Sequence, residues 1–238
     1  MRDNWIPTQN SAVNSPELAP SSQVQNVIDR LFRDGTVVSR MDGKSRDLFP
    51  IAIPELEGHS LRNWVQREGA GRTIEVGLAF AISTLFICQG LLENGKPERR
   101  HVVLDPNQET WYANSGIQAL EDAGVMGMVE FHAKESRLLL PEFLAGGHRF
   151  DLAFVDGNHR FEFVFLDLIY LASLVRGNGI IFVDDYQLPA VARAVSFCSN
   201  NLGWTTQELS PHDDHHQWAV LRTPLVRLER KFDDYVDF

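Results

Sequence analysis

Short apolar runs alternate with segments of helical periodicity along most of the chain. From residue 72 onward, each apolar run is followed by a segment whose apolar positions recur every three to four residues, which is typical of an amphipathic helix. The runs that predict strands before helices span 72–76, 101–105, 128–132, 150–156 and 179–184. Repeated strand–helix units predict a parallel sheet covered by helices on both faces.

The last part of the chain follows a different pattern. Two strand-like runs, near 204–209 and 217–222, follow each other without a helix between them, so they are expected to form an antiparallel hairpin at the sheet edge. The predicted fold is therefore α/β: a Rossmann-like, doubly wound, mostly parallel seven-stranded sheet with an antiparallel terminal hairpin. The intervening helices are predicted at 82–93, 109–123, 136–144, 161–175 and 189–201.

The amino-terminal third divides into two parts. Residues 1–20 are rich in Ser, Asn, Pro and Gln, which predicts a flexible arm. Residues 21–71 are predicted to form a helical extension with one helix ending near Gly35, an irregular stretch, and a second helix capped by Ser60. The main domain then covers 72–222, and 223–238 form an acidic, aromatic tail to which the sequence assigns no role.

Composition narrows the class of protein. With 238 residues, 44% of them hydrophobic, the chain can bury one sizeable core. A formal net charge of -10 disfavours nucleic acid and anionic membranes as partners. The absence of a long apolar run and of a signal-peptide pattern, with only two cysteines, predicts a cytoplasmic protein. A homodimer is an open expectation, since arm and tail could both reach a partner.

The turn after the first strand of the main domain is a candidate ligand site. Its only glycine is Gly77, so it lacks the G-x-G-x-x-G pattern that binds a pyrophosphate. A ligand with a ribose and an amino-acid portion, but no phosphate, suits this turn better. Glu75 and Gly77 are expected to face the amino-acid end, Ser83 to offer a hydroxyl, and Asp105 to accept the ribose hydroxyls. Alternatively, Glu75 and Asp105 merely cap helices.

Five segments in order resemble class I S-adenosylmethionine-dependent methyltransferases, over a match from about Pro54 to Arg222. They read E-V-G-L-A-F-A-I-S-T, H-V-V-L-D-P, F-H-A-K-E-S, F-D-L-A-F-V-D-G-N-H-R-F-E and G-N-G-I-I-F-V-D-D-Y. The last two resemble the branch that includes catechol, caffeoyl-CoA and macrolide sugar O-methyltransferases. The resemblance implies S-adenosylmethionine as cofactor and places Ser136 beside its adenine, unless Ser136 is only a helix cap. The family's second glycine is Ala81 here.

Acidic residues after the fourth and fifth strands are candidate metal ligands. Asp156 follows one strand, and Asp184 and Asp185 follow the next, so three carboxylates are expected to converge at one sheet edge. Such oxygen ligands suit a divalent cation, with Mg²⁺ favoured. The resemblance places the metal ligands of its metal-dependent members at the matching positions. The alternative is that Asp156 contacts the cofactor, Asp184 caps a helix and Asp185 faces water.

His159 is the predicted general base, because an imidazole titrates near neutrality and the family's catalytic lysine has no counterpart here. The alternative role is helix capping or covering the cofactor. Together with Asp156, His159 would support metal-assisted O-methylation of a small hydroxylated molecule, a phenol or a sugar moiety. The alternatives are an N- or carboxyl-methyltransferase without metal, and a non-catalytic protein that binds S-adenosylmethionine or S-adenosylhomocysteine.

A second polar cluster lies in the loop of the predicted terminal hairpin. Its composition resembles that of a metal site, but solvated polar runs are common in such loops. A position lining the entrance for the methyl acceptor is favoured over metal binding. The cluster consists of His212, Asp213, Asp214, His215 and His216.

Overall fold

The computed structural model describes residues 19–211 and 216–238. The predicted arm, apart from its last two residues, and residues 212–215 of the histidine-containing loop lie outside the described residues. No helix within the described ranges is long and apolar enough to cross a membrane.

The main sheet has seven strands and confirms the predicted fold class. The strands are β3 (Arg72–Val76), β4 (Arg100–Leu104), β5 (Val129–His132), β6 (Phe150–Val155), β7 (Val175–Val183), β8 (Thr205–Leu209) and β9 (Ala219–Arg222), and their order across the sheet is β5-β4-β3-β6-β7-β9-β8. The first five pair in parallel, whereas β9 pairs antiparallel with both β7 and β8. The connectivity reverses at β3, between β4 and β6, which is where open α/β sheets form a ligand crevice.

Helices cover both faces of this sheet. They are α1 (Pro20–Asp34), α2 (Glu55–Arg67), α3 (Ile82–Glu93), α4 (Ser115–Asp122), α5 (Ser136–Ala145), α6 (Phe161–Leu174) and α7 (Pro189–Leu202). The apolar residues of α1 to α4 form one buried cluster with one face of the sheet, and those of α5 to α7 form another with the opposite face. Successive side chains of a strand point to opposite faces of the sheet and so enter the two clusters in turn. Because both faces are buried, the strands are continuous apolar runs in the sequence.

The amino-terminal extension differs from the prediction in two places. A small antiparallel pair, β1 (Thr36–Val38) and β2 (Ser45–Asp47), occupies the stretch expected to be irregular. Helix α2 begins at Glu55 and not at Ser60. Pro54 precedes it in an extended conformation and two acids lie in its first turn, and both features favour a helix start there.

Helix α4 is shorter than predicted. It begins at Ser115, because Asn114 adopts a left-handed conformation with φ of 56° and ends the preceding turns. The segment between β4 and α4 is thereby left free to border the crevice.

Helices α2 and α3 pack very closely. A Cβ added to Gly58 of α2 would lie 2.1 Å from Cε2 of Phe86, which is fully buried in α3. The absent side chain allows the first turn of α2 to lie against α3, and this places Glu57 next to the end of the sheet.

Candidate functional site

A cavity of about 400 Å³ lies at the carboxyl ends of β3, β4 and β6. This volume is within the range of small-molecule sites. Four of the predicted cofactor residues line it, namely Gly77, Asp105, Ser136 and Asp156. The aromatic side chains in its wall belong to Trp111, Tyr112 and Phe163.

Gly77 is required by the packing of the strand ends. Its φ is +99°, and a Cβ at this position would lie 1.9 Å from the backbone carbonyl oxygen of Asp156. Any side chain would therefore separate the turn after β3 from the end of β6. The sequence analysis expects Gly77 to face the amino-acid end of a ligand. In the structure, the lack of a side chain at Gly77 also allows the backbone after β3 to lie against the backbone after β6.

Asp105 borders the cavity and also organises two turns. It is 4% exposed, its Oδ2 accepts hydrogen bonds from the backbone NH of Ala79 at 2.9 Å and from Gln108 Nε2 at 3.0 Å, and its Oδ1 accepts one from the NH of Asn107 at 2.7 Å. The backbone NH of Leu78 is a further donor to Oδ2, at 3.3 Å, so three donors engage Oδ2 and one engages Oδ1. Because each carboxylate oxygen accepts about two hydrogen bonds, the second acceptor position of Oδ1 remains for a ligand hydroxyl.

Glu75 and Ser83, the other two predicted cofactor residues, do not line the cavity. Glu75 is fully buried and accepts hydrogen bonds from the hydroxyls of Ser83 and Thr84, while His101 Nε2 lies 2.8 Å from its Oε2. Glu75 lies within β3, not beyond its end, and its side chain points towards α3. The hydrogen bonds of Glu75 with Ser83 and Thr84 join β3 to α3, and the direct ligand contact of Glu75 and Ser83 stays a prediction.

Ala81 stands at the position of the family's second glycine. It adopts φ of +67°, the left-handed conformation for which glycine is favoured. Its methyl group is fully buried in the apolar cluster beneath α3 and is not part of the cavity wall. The extra methyl therefore does not narrow the cavity.

Ser136 is the first residue of α5 and lines the cavity. The cap position belongs to Glu135, which makes no side-chain cap hydrogen bond, so the alternative role of Ser136 as a helix cap is not observed. Its hydroxyl hydrogen-bonds Asp167 of α6. Burial raises the pKa of Asp167 to about 7, with the hydrogen bond from Ser136 opposing the shift.

His159 bridges two of the three predicted metal ligands. Its Nε2 lies 3.2 Å from Asp156 Oδ1 and 3.1 Å from Asp185 Oδ2. Burial and the nearby charge of Asp184 raise the pKa of Asp156 to about 7. The hydrogen bond to Asp156 raises the pKa of His159, and burial only partly opposes this shift.

Asp184, the third predicted ligand, contacts a different histidine. Its Oδ1 lies 3.0 Å from Nε2 of His216, and the same nitrogen lies 2.5 Å from Glu57 Oε2. Asp185 adopts a left-handed φ of 54°, and the two consecutive carboxylates contact different partners. The predicted convergence is therefore divided between two adjacent groups, Asp156–His159–Asp185 and Glu57–Asp184–His216.

Charge and burial shift the pKa values of two residues in the group formed by Glu57, Asp184 and His216. Burial and the charge of Asp184 raise the pKa of Glu57 well above its usual range. Burial lowers the pKa of His216, but hydrogen bonds to Asp184 and Glu57 outweigh it and raise the pKa to about 10. The sequence singled out His216 only as part of a loop cluster and did not identify Glu57 at all.

Comparison with known proteins agrees with this geometry. A family model described as a methyltransferase domain matches residues 74–186. Residues 74–186 are therefore similar to a methyltransferase domain. This range contains the last three residues of β3, all of β4 to β7 and all the residues that line the cavity. The match confirms the resemblance expected from the five sequence segments.

Two relatives of the methyltransferase domain come from Oryza sativa subsp. japonica. Tricin synthase 2 is 30% identical over 138 residues, which are 57% of this chain and 44% of that protein. Tricin synthase 1 is 35% identical over 135 residues, 54% of this chain and 50% of that protein. The match thus spans about half the length of these relatives.

A solved structure shows the same fold over nearly the whole chain. It is the O-methyltransferase TomG from Streptomyces achromogenes, involved in tomaymycin synthesis and in complex with SAM. It superposes with a TM-score of 0.63 at 19% identity, covering 90% of this chain and 93% of TomG. At this identity the likeness shows the fold alone.

Proposed function

We propose that this chain is an S-adenosylmethionine-dependent O-methyltransferase that acts on a small hydroxylated molecule, a phenol or a sugar moiety, with the help of a divalent cation. The observation that carries the proposal is the cavity at the switch point of a methyltransferase domain, bordered at its ends by Asp105, Ser136 and Asp156. TomG holds SAM, and the tricin synthases and TomG provide the O-methyltransferase precedent.

The cavity wall matches the parts of the cofactor. Asp105 would accept the ribose hydroxyls, as acids do after this strand in doubly wound folds. Ser136 and Phe163 would lie against the adenine, with Trp111 and Tyr112 covering the nucleoside. Asp156, which follows β6 and also lines the cavity, would face the positively charged methionine end.

The acidic residues next to Asp156 fit a hard divalent cation. Asp156, Asp184 and Asp185 offer only oxygen ligands, and the charges of Asp184 and Asp185 help to raise the pKa of Asp156. The contacts of His159 with Asp156 and Asp185, and of His216 with Asp184, offset part of this negative charge. These three residues would hold the cation, which would polarise the acceptor hydroxyl. The chain's own contribution is to align the acceptor oxygen with the methyl group for in-line transfer.

His159 limits the pH range of this reaction. Its Nε2 is already engaged by two carboxylates, and the hydrogen bond to Asp156 raises its pKa, so it loses its proton at a higher pH than an unperturbed imidazole. Only the unprotonated fraction can accept the acceptor's proton. We therefore expect the methyl-transfer rate to increase with pH across the neutral range and to level off above the pKa of His159.

Methyl transfer to a panel of phenols and sugars tests the proposal. With S-adenosylmethionine and Mg²⁺, the wild type is expected to methylate at least one hydroxyl acceptor, with a chelator removing most of the rate. Asp156→Asn should lower the rate by about 10²-fold or more, because it removes a cation ligand and the partner of His159. Asp47→Asn, which changes an exposed acid on β2, is the matched control and should leave the rate unchanged.

Two results would contradict the proposal. Turnover that ignores both the chelator and Asp156→Asn would remove the cation and favour a nitrogen or carboxyl acceptor. Cofactor binding without turnover on any acceptor would indicate a non-catalytic binding protein.

A further inference from the structure

Three side chains from distant parts of the chain meet beside the methyltransferase domain. Glu57 comes from the first turn of α2, Asp184 from the end of β7, and His216 from the residues that precede β9. His216 Nε2 lies 2.5 Å from Glu57 Oε2 and 3.0 Å from Asp184 Oδ1. All three potential ligand atoms lie within 4.8 Å of one another.

The carboxylate oxygens of this cluster can accept more hydrogen bonds than the surrounding protein groups donate. Both carboxylates approach the same ring nitrogen, which carries one hydrogen at most and so satisfies only one of them well. Glu57 is fully buried, and its Oε1 has no hydrogen-bond partner among the described residues. A buried carboxylate oxygen without a donor is costly unless a ligand completes it.

From this convergence we infer that Glu57, Asp184 and His216 form a binding site for a divalent transition-metal ion. One imidazole nitrogen and two carboxylates are a mixed nitrogen and oxygen set that suits Zn²⁺, Mn²⁺ or Fe²⁺ better than Mg²⁺. The site goes beyond the proposed function, since its ligands Glu57 and His216 lie outside the all-oxygen set proposed for Mg²⁺. Asp184 alone belongs to both.

A cation at this site would join three elements of the fold. It would link the amino-terminal helix α2 to the carboxyl end of β7 and to the segment that enters β9. None of these links depends on S-adenosylmethionine or on an acceptor. The site can therefore be tested with a metal ion alone, and its failure is separate from any failure of the methyl-transfer proposal.

The test titrates the chelator-treated full-length chain with Co²⁺ alone and follows its visible d–d absorption, whose position and intensity change when protein ligands replace water. The titration is done in an Asp156→Asn/His159→Gln background, which removes one ligand of the cation site proposed for Mg²⁺ and the imidazole between Asp156 and Asp185, and leaves Glu57, Asp184 and His216 intact. We expect one Co²⁺ site in this protein. Adding His216→Gln or Glu57→Gln should weaken it by about tenfold or more. Adding His132→Gln is the control, because it breaks a histidine–glutamate pair, with Glu130, elsewhere in the sheet.

The outcome is decisive in each direction. Co²⁺ affinity that stays within twofold of the parent in both Glu57→Gln and His216→Gln proteins would overturn the inference, as would a parent that binds no Co²⁺. If the variants do not fold, the nitrogen resonances of the wild-type histidines give the answer. Zn²⁺ should shift Nε2 of His216, and an unchanged resonance would rule the site out.

Discussion

At the scale of single residues, the buried carboxyl of Asp167 makes the stability of the protein depend on pH. It is 2% exposed, its Oδ1 has no partner among the described residues, and it lies behind Ser136 and Gly157. Burial raises its pKa from 3.8 to about 7. Folding therefore favours the protonated form, and the associated stability is present below the unfolded pKa and is lost as the pH rises through about 7.

Asp167→Asn should remove this pH dependence. The amide keeps a polar group beside Ser136 without the buried charge, so at pH 8 the variant should exceed the wild type in stability by up to about 4 kcal/mol. At pH 4 the two proteins should differ much less, because the wild-type carboxyl is then protonated. Chemical unfolding at both pH values measures this difference. An equal difference at pH 4 and pH 8, or the same gain from the exposed change Asp47→Asn, would contradict the explanation.

At the scale of elements, the sequence predicted the bounds of those helices and strands that local sequence patterns determine. The unit from β3 to α3 has the predicted limits, 72–76 and 82–93, because an apolar run, a glycine and a long apolar helix mark it clearly. The predicted start of α2 is wrong, because the prediction takes Ser60 as the residue that caps the helix, whereas α2 begins at Glu55. Pro54, followed by acids at the first turn, was the stronger signal. That error hid Glu57, which was assigned to an irregular stretch.

The contact between α2 and α3 can be tested with one methyl group. Gly58→Ala places a Cβ 2.1 Å from the ring of Phe86, which is fully buried, so the ring or the helix must shift. We expect a net loss of about 1 to 3 kcal/mol in the free energy of unfolding, despite the better helix propensity of alanine. Gly127→Ala is the matched control, since a Cβ there meets nothing within 4 Å. Equal stability of the two variants would show that α2 and α3 pack less closely than described.

At the scale of the whole molecule, the site depends on contacts between residues far apart in sequence. The predicted acids do lie at neighbouring strand ends, because strand order follows from the strand–helix pattern. Their division into two groups depends on the left-handed backbone at Asp185 and on the meeting of Glu57 with His216, which are 159 residues apart. Helical and strand periodicity carries no information about such a pair. The burial of Glu75 also escaped prediction, since the strand pattern does not show that Ser83, Thr84 and His101 surround its carboxylate.

The most direct test of the account is a calorimetric titration of the full-length chain with S-adenosylmethionine. Ser136→Trp would fill the cavity from the start of α5, and Leu138→Trp would add the same side chain at an exposed position, 57% accessible, on the same helix. The account predicts one binding site in the wild type and in Leu138→Trp, and an affinity lower by about tenfold or more, at least 1.4 kcal/mol, in Ser136→Trp. No binding to the wild type, or equal binding by the two variants, would contradict it.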